Sequence, residues 1–152
     1  MAEADLSAPG AGGTAHACEQ LVYWAGHCTD YRLWDELASL FAETGRLIRP
    51  SDPTHPIIGR SSILASLRAR PPRTTRHSIT NVMVHMHSTT RARVSSQLTL
   101  FSGPARVGNQ VVRIGKIAVG NFEDELEWSD DRWYFLVRDG SISMEMDLPF
   151  PD

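Results

Sequence analysis

Helical periodicity confined to the N-terminal part of the chain, followed by alternating segments separated by turn signals, predicts an α+β fold. Three helices come first and four or more antiparallel strands follow, so the expected architecture is a curved antiparallel β-sheet with three N-terminal helices packed on one side. A third observation adds chemistry to the shape. The stretch Thr75-Arg76-His77-Ser78-Ile79-Thr80-Asn81-Val82-Met83-Val84 reads as a turn delivering a histidine into the start of a strand. Side chains alternate along a strand, so His77, Ile79, Asn81 and Met83 are expected on one face. A sheet curled around helices encloses a pocket, and Tyr23, Asp30 and His77 are expected to point into it.

Residues 1–13 are rich in Ala and Gly and lack periodicity, which predicts a disordered leader before a domain over residues 14–148. Thr14 can cap the first helix. Cys18, Leu21, Val22, Ala25 and Cys28 recur at three- and four-residue spacing and give it one apolar face. Tyr23, His27 and Asp30 fall at i, i+4 and i+7 on another stripe. Such a stripe suits a helix that caps a polar-tipped cavity, and it equally suits the solvated side of a helix. A second helix is expected over residues 33–43, burying Trp34, Leu37, Ala38 and Phe41, with Gly45 as its left-handed C-cap.

Arg46 to Arg49 reads as a short strand and Ser51 to Pro56 as a proline-restricted turn, with His55 exposed. A third helix starts near Ser61 or Ser62, carries Ile63, Leu64 and Leu67, and stops at Pro71-Pro72. The His77 strand, expected in the centre of the sheet, runs to Met86 and returns through Ser88-Thr89-Thr90 as a strand over Arg91 to Ser102. Gly103 to Gly115 is a long excursion. Ile117 to Trp128 and Trp133 to Arg138 are further strands, with Asp139-Gly140 as a turn before a short final strand, Ser141 to Asp147.

Composition bounds the function. The 152 residues fit one domain with a proper core, at 41% hydrophobic and 22% charged residues. A net charge of −3 gives no global field toward nucleic acid or membrane. Locally, Arg68, Arg70, Arg73 and Arg76 form a basic run, which reads as a solvated loop or as a lure for an anionic substrate or partner. Cys18 and Cys28 stand ten residues apart on one helix, about 15 Å along its axis and too far to bridge, so both are expected reduced. With no signal-type or membrane-length apolar run, the expected location is the cytoplasm.

His85 and His87 share a strand face but lack the third and fourth ligands of a metal site, so no metal is expected. Neither a nucleophile elbow nor a nucleotide-binding glycine motif is present, and no cofactor is expected. What remains is proton transfer. If Asp30 meets His77, the carboxylate fixes the imidazole tautomer and leaves the other nitrogen to take a proton. Tyr23 could donate its O–H, and Asn81 could orient substrate. Arg138 could pair with Asp124 across the sheet.

With these residues in view, the chain resembles the SnoaL-like branch of the nuclear transport factor 2-like superfamily over Ala17 to Met146. The resemblance rests on Tyr23, Asp30, Leu33-Trp34-Asp35-Glu36-Leu37, Leu40-Phe41-Ala42, Gly45, Gly59, Ile63, Arg76-His77-Ser78-Ile79-Thr80-Asn81 and the Trp133 to Arg138 strand. It implies a cone-shaped α+β barrel with an internal pocket, commonly a dimer or trimer. Scytalone dehydratase and hexachlorocyclohexane dehydrochlorinase of this superfamily use an Asp on the first helical segment and a His on the sheet, matching Asp30 and His77. The latter also has an Asn four residues after its His, as Asn81 stands here. Bile-acid 7α-dehydratase uses a similar Tyr, Asp and His set.

The resemblance thus implies a cofactor-free lyase of the dehydratase or dehydrohalogenase type acting on a cyclic or aromatic-like small molecule. His77, Asp30 and Tyr23 would be catalytic, and Asn81, His27 and Arg138 would bind substrate. The scytalone dehydratase pattern has a tyrosine immediately before its aspartate, where Thr29 stands here. Ketosteroid isomerases carry an aspartate base where this chain reads Leu47-Ile48-Arg49-Pro50. The β subunits of aromatic-ring-hydroxylating dioxygenases share the fold and a His-x-x-x-Asn strand. They offer the main alternative, a structural partner of an oxygenase catalytic subunit. A small-molecule binding or isomerase member is the remaining one.

Overall fold

A computed structural model describes residues 11–149, with side chains from residue 14 onward. The leader expected over residues 1–13 lies outside the described residues except for 11–13, which open the first helix. The elements in order are α1 (Ala11–Asp30), α2 (Trp34–Ser39), β1 (Phe41–Arg49), β2 (Asp52–Ile58), α3 (Arg60–Arg68), β3 (Arg73–Met86), β4 (Arg91–Pro104), β5 (Lys116–Ser129) and β6 (Arg132–Asp147). The six strands form one curved sheet in the order β2-β1-β6-β5-β4-β3. The fold is α+β as the sequence predicts, with two refinements. The sheet is not closed into a barrel, and β1 runs parallel to β6 while every other pair is antiparallel. A parallel pair needs a long crossover, and here the whole segment from β2 to β5 supplies it.

The apolar face read from α1 is the one that is buried: Cys18, Leu21, Val22, Ala25 and Cys28 are all essentially inaccessible. They pack with Phe41, Ile63, Leu67, Trp133 and Phe135. Burying each large side chain contributes about 1.5–3 kcal/mol before entropy is counted. Both cysteines are free, and burial pushes their thiols up, Cys18 to about 12 and Cys28 to about 11. Among the described residues no helix is long and apolar enough to cross a membrane.

Several boundaries differ from expectation, each for a local reason. Helix α1 begins before Thr14, at Ala11. Helix α2 stops at Ser39, and Gly45 lies inside β1, not at a helix cap. A Cβ on Gly45 would meet the Ala42 and Phe135 carbonyl oxygens at 2.9 and 3.0 Å, so a glycine is needed where β1 closes on β6. The expected turn at Ser51 to Pro56 is strand β2. Its prolines are tolerated because β2 is an edge strand and pairs only with β1.

The expected turn at Asp139-Gly140 is absent too, and β6 runs through it. A bulge near Gly120 lets the two long strands bend together; a Cβ there would sit 1.8 Å from the Ser141 carbonyl oxygen. Strand β3, which carries His77, is the other edge of the sheet and not its centre. Helix α1 lies along this edge. The absence of a side chain on Gly26 admits Ile79, whose Cδ1 would be 2.8 Å from a Cβ at that position.

Candidate active site

Asp30 is the last residue of α1, and it reaches across to the start of β3. Its Oδ1 lies 2.5 Å from His77 Nδ1. Its Oδ2 accepts the His77 backbone N–H at 2.9 Å, and Oδ1 also accepts the Thr75 hydroxyl at 2.9 Å. The edge strand thereby satisfies an N–H that no neighbouring strand takes. Both side chains are nearly buried, His77 at 11% and Asp30 at 8% exposure. Burial raises the Asp30 pKa. The ring and backbone hydrogen bonds from His77, its charge and the Thr75 hydroxyl together outweigh that effect and hold the carboxyl below its ordinary range. An ionised carboxylate can only accept, so Nδ1 carries a proton, and in the neutral ring Nε2 is then left with its lone pair.

His77 stands in the wall of a cavity of about 840 Å³, within the range of small-molecule pockets. Trp34, Leu37, Phe41, Leu98, Leu100 and Phe122 supply much of the apolar lining. Thr29, in the place of the expected tyrosine, also lines it, with its hydroxyl donated to the Ala25 carbonyl at 2.8 Å. Asp30 is not among the lining residues. It sits behind His77 and can act on a ligand only through it.

Arg138 lines the same cavity. It donates to Asp124 Oδ2 at 3.0 Å, the cross-strand pair the sequence suggested, and its guanidinium lies 3.8 Å from the Phe122 ring centroid. Burial pushes the Asp124 carboxyl up to about 7 against the opposing pull of Arg138. Only one of the five guanidinium N–H groups is committed to Asp124, so Arg138 keeps donors for a ligand.

Besides Asp30, three expected site residues are not in the cavity wall. Tyr23 is 42% exposed and lies outside the lining. His27 stacks between Trp24 and Tyr31, at centroid distances of 4.9 and 4.5 Å, along the outside of α1. The i, i+4, i+7 stripe is therefore the solvated one up to its last residue, Asp30, where the helix ends against β3. Asn81 is exposed and donates to Gln97 Oε1 at 2.6 Å.

The cause at Asn81 is a bulge. Between Thr80 and Met83 strand β3 gains one residue over β4, and Asn81 adopts a φ of +49°. Alternation reverses there: His77 and Ile79 face in before it, whereas Val82, Val84 and Met86 face in after it and Met83 is 66% exposed. Asn is one of the few residues that accept this backbone conformation, which accounts for its place in the strand.

The sequence reading missed Thr75, although its i−2 relation to His77 on one strand face could have found it. It also missed Gly26 and Trp34, whose roles depend on contacts between elements. His85 and His87 stack edge to face at 5.6 Å, and among the described residues no group of three His, Cys, Asp or Glu could hold a metal ion.

The fold has known counterparts. The chain belongs to the SnoaL-like domain family, whose model matches residues 14–139. None of the curated proteins compared matches it. Among solved structures it is similar to a provisionally assigned scytalone dehydratase of Novosphingobium aromaticivorans, at 22% identity and a TM-score of 0.73, covering 90% of this chain and 88% of that one. It is also similar to a hexachlorocyclohexane dehydrochlorinase, LinA type 2, at 17% identity and a TM-score of 0.73, covering 91% and 90%. A protein with a cystatin-like fold from Nostoc punctiforme follows at 17% identity and a TM-score of 0.65, covering 83% and 88%. At such identities the likeness shows the shared fold.

Proposed function

We propose that the chain is a cofactor-independent lyase of the dehydratase or dehydrohalogenase type, acting on a cyclic or aromatic-like small molecule. The observation that carries this reading is the Asp30–His77 pair set in the wall of a mostly apolar cavity. His77 Nε2 takes a proton from a carbon adjacent to the one bearing the leaving group. The C–H electron pair becomes the new double bond, and hydroxide or halide departs with its own pair. Asp30 holds the ring in the reactive tautomer and stabilises the imidazolium that forms. Arg138 meets negative charge developing on a substrate oxygen or on the leaving group. The dehydratase and dehydrochlorinase among the structural neighbours agree with this class of reaction.

The test is a screen of cyclic β-hydroxy ketones and halogenated cyclohexanes, each with and without a ring carboxylate or phosphate, with the full chain. It is read by the absorbance of the conjugated product and by halide release. Turnover above buffer for one class supports the reading, and none across both classes counts against it.

One observation favours the scaffold alternative. Met144 and Met146 share a strand face and are 63% and 54% exposed, as a subunit contact would require. The molecular mass in solution, alone and with an oxygenase catalytic subunit, separates a homo-oligomeric enzyme from a structural partner.

A further inference from the structure

We infer that the pocket takes a ring compound carrying an oxyanionic group, a carboxylate or a phosphate, which Arg32, Arg49, Arg70 and Arg73 hold at a distance from His77. This names the substrate class of the site proposed above and rests on that reading for the reaction, though not for the binding.

The four arginines come from three separate segments. Arg32 lies between α1 and α2, Arg49 ends β1, and Arg70 and Arg73 flank Pro71-Pro72 between α3 and β3; all four line the cavity together with His77. Arg32 ties two of these segments together by donating to the Arg70 and Pro71 carbonyls at 2.9 and 3.1 Å. The guanidinium carbons of Arg32 and Arg70 lie 4.9 and 5.7 Å from the centroid of the Trp34 ring.

Among the described residues, none of the four has a carboxylate within ion-pair distance, and Arg49 Nε is buried with no acceptor. The other cations near them each have a carboxylate partner: Arg68 pairs with Asp35 at 2.7 Å, Arg138 with Asp124 and Lys116 with Glu145. Burial and the charges of Arg49, Arg73 and Arg32 push the Arg70 guanidinium down to about 10, the direction expected where cations crowd without a counter-ion. An oxyanion relieves that repulsion, and the planar guanidinium fork matches its paired oxygens.

The position also fits. Arg73, Thr75 and His77 alternate along one face of β3, and four residues of strand separate Arg73 from His77 by about 13 Å at Cα. An arginine reaching back over part of that distance leaves the span of one or two rings between charge and imidazole, against the apolar walls.

The experiment is calorimetric titration of the full chain and of the His77→Gln variant. The probes are benzoate, cyclohexanecarboxylate, 2-naphthoate and phenyl phosphate, each against its neutral counterpart (the carboxamide, or phenol for the phosphate). At least one anion is expected to bind about tenfold tighter than its counterpart in both proteins, the scale of one to two charge-assisted contacts. The better of carboxylate and phosphate identifies the source of the charge. The preference is expected to vanish in an Arg49→Met/Arg73→Met double variant with a cooperative melting transition. In the unmodified chain, added salt is expected to weaken the anion and leave the neutral ligand unchanged, a readout that stands even where the double variant does not fold. Equal binding of every pair, or a salt-independent preference, overturns the proposal. Anion preference without turnover in the screen would leave this inference standing and remove the lyase.

Discussion

Asp30 grips His77 at two points, its Oδ1 on the imidazole Nδ1 at 2.5 Å and its Oδ2 on the backbone N–H at 2.9 Å. One carboxylate therefore sets both the tautomer of the ring and the position of the strand that carries it. The same grip joins the end of α1 to the open edge of the sheet, so the chemistry and the stability of this corner are coupled.

That coupling has a pH signature. The folded-state pKa of Asp30 lies below its unfolded value, so its contribution is fully present above about pH 3.9 and is lost as pH falls through the lower folded value. Asp30→Asn sets an amide N–H against a donor of His77. It is expected to cost about 1.5–3 kcal/mol at neutral pH, the range for a lost hydrogen bond to a charged group. Melting temperatures of both proteins from pH 6 down to pH 2, on the order of that titration range, are expected to converge at the acid end. A gap that stays constant would contradict the assignment.

A second buried carboxylate gives a different prediction. Asp124 is fully buried, and its Oδ1 has no hydrogen-bond partner among the described residues, so Arg138 is its chief compensation. Asp124→Ala leaves a buried guanidinium without its counter-charge and is expected to cost about 3–5 kcal/mol in denaturant unfolding. The double variant Asp124→Leu/Arg138→Met is expected to be more stable than Asp124→Ala. Strict additivity of the two sites would show that they are not coupled.

At the β3 bulge, Asn81→Gly is expected to be nearly neutral because glycine accepts a φ of +49° freely. Asn81→Val should cost about 1–3 kcal/mol, since a β-branched residue is strained there. Thermal unfolding of the two variants compares them directly, and equal stabilities would mean that the bulge is not fixed by backbone conformation.

Asn81 also shows where sequence reading stops. Strict alternation placed it beside His77, but one extra residue in the strand turned it out and brought Val82, Val84 and Met86 in. Whether a strand slips by one residue is decided by its partner strand, which periodicity does not see. The buried face of α1 was legible because it repeats at helical spacing, and the Asp30–His77 contact because Asp30 ends its helix and His77 lies near the start of its strand. The position of Tyr23 was not, since a solvated stripe and a cavity-facing stripe have the same spacing. The four cavity arginines were legible only in part. Arg70 and Arg73 stood in a visible basic run, whereas Arg32 and Arg49 join them only through the packing of three connections. That packing also separates Arg68, paired with Asp35, and Arg76, stacked 5.2 Å from the Tyr31 ring centroid, from the cavity. Strand β2 was hidden by its prolines, which signal a turn everywhere except at a sheet edge.

The central claim is that His77 is the base. It is tested most directly by the elimination rate of His77→Gln against the unmodified chain, on whichever substrate the screen identifies, with far-UV circular dichroism confirming the fold. Loss of a general base is expected to lower kcat by about 10²–10⁴-fold with a smaller change in KM. A variant that turns over at the unmodified rate would contradict the account, and the cavity would then be a binding site whose proton chemistry is idle.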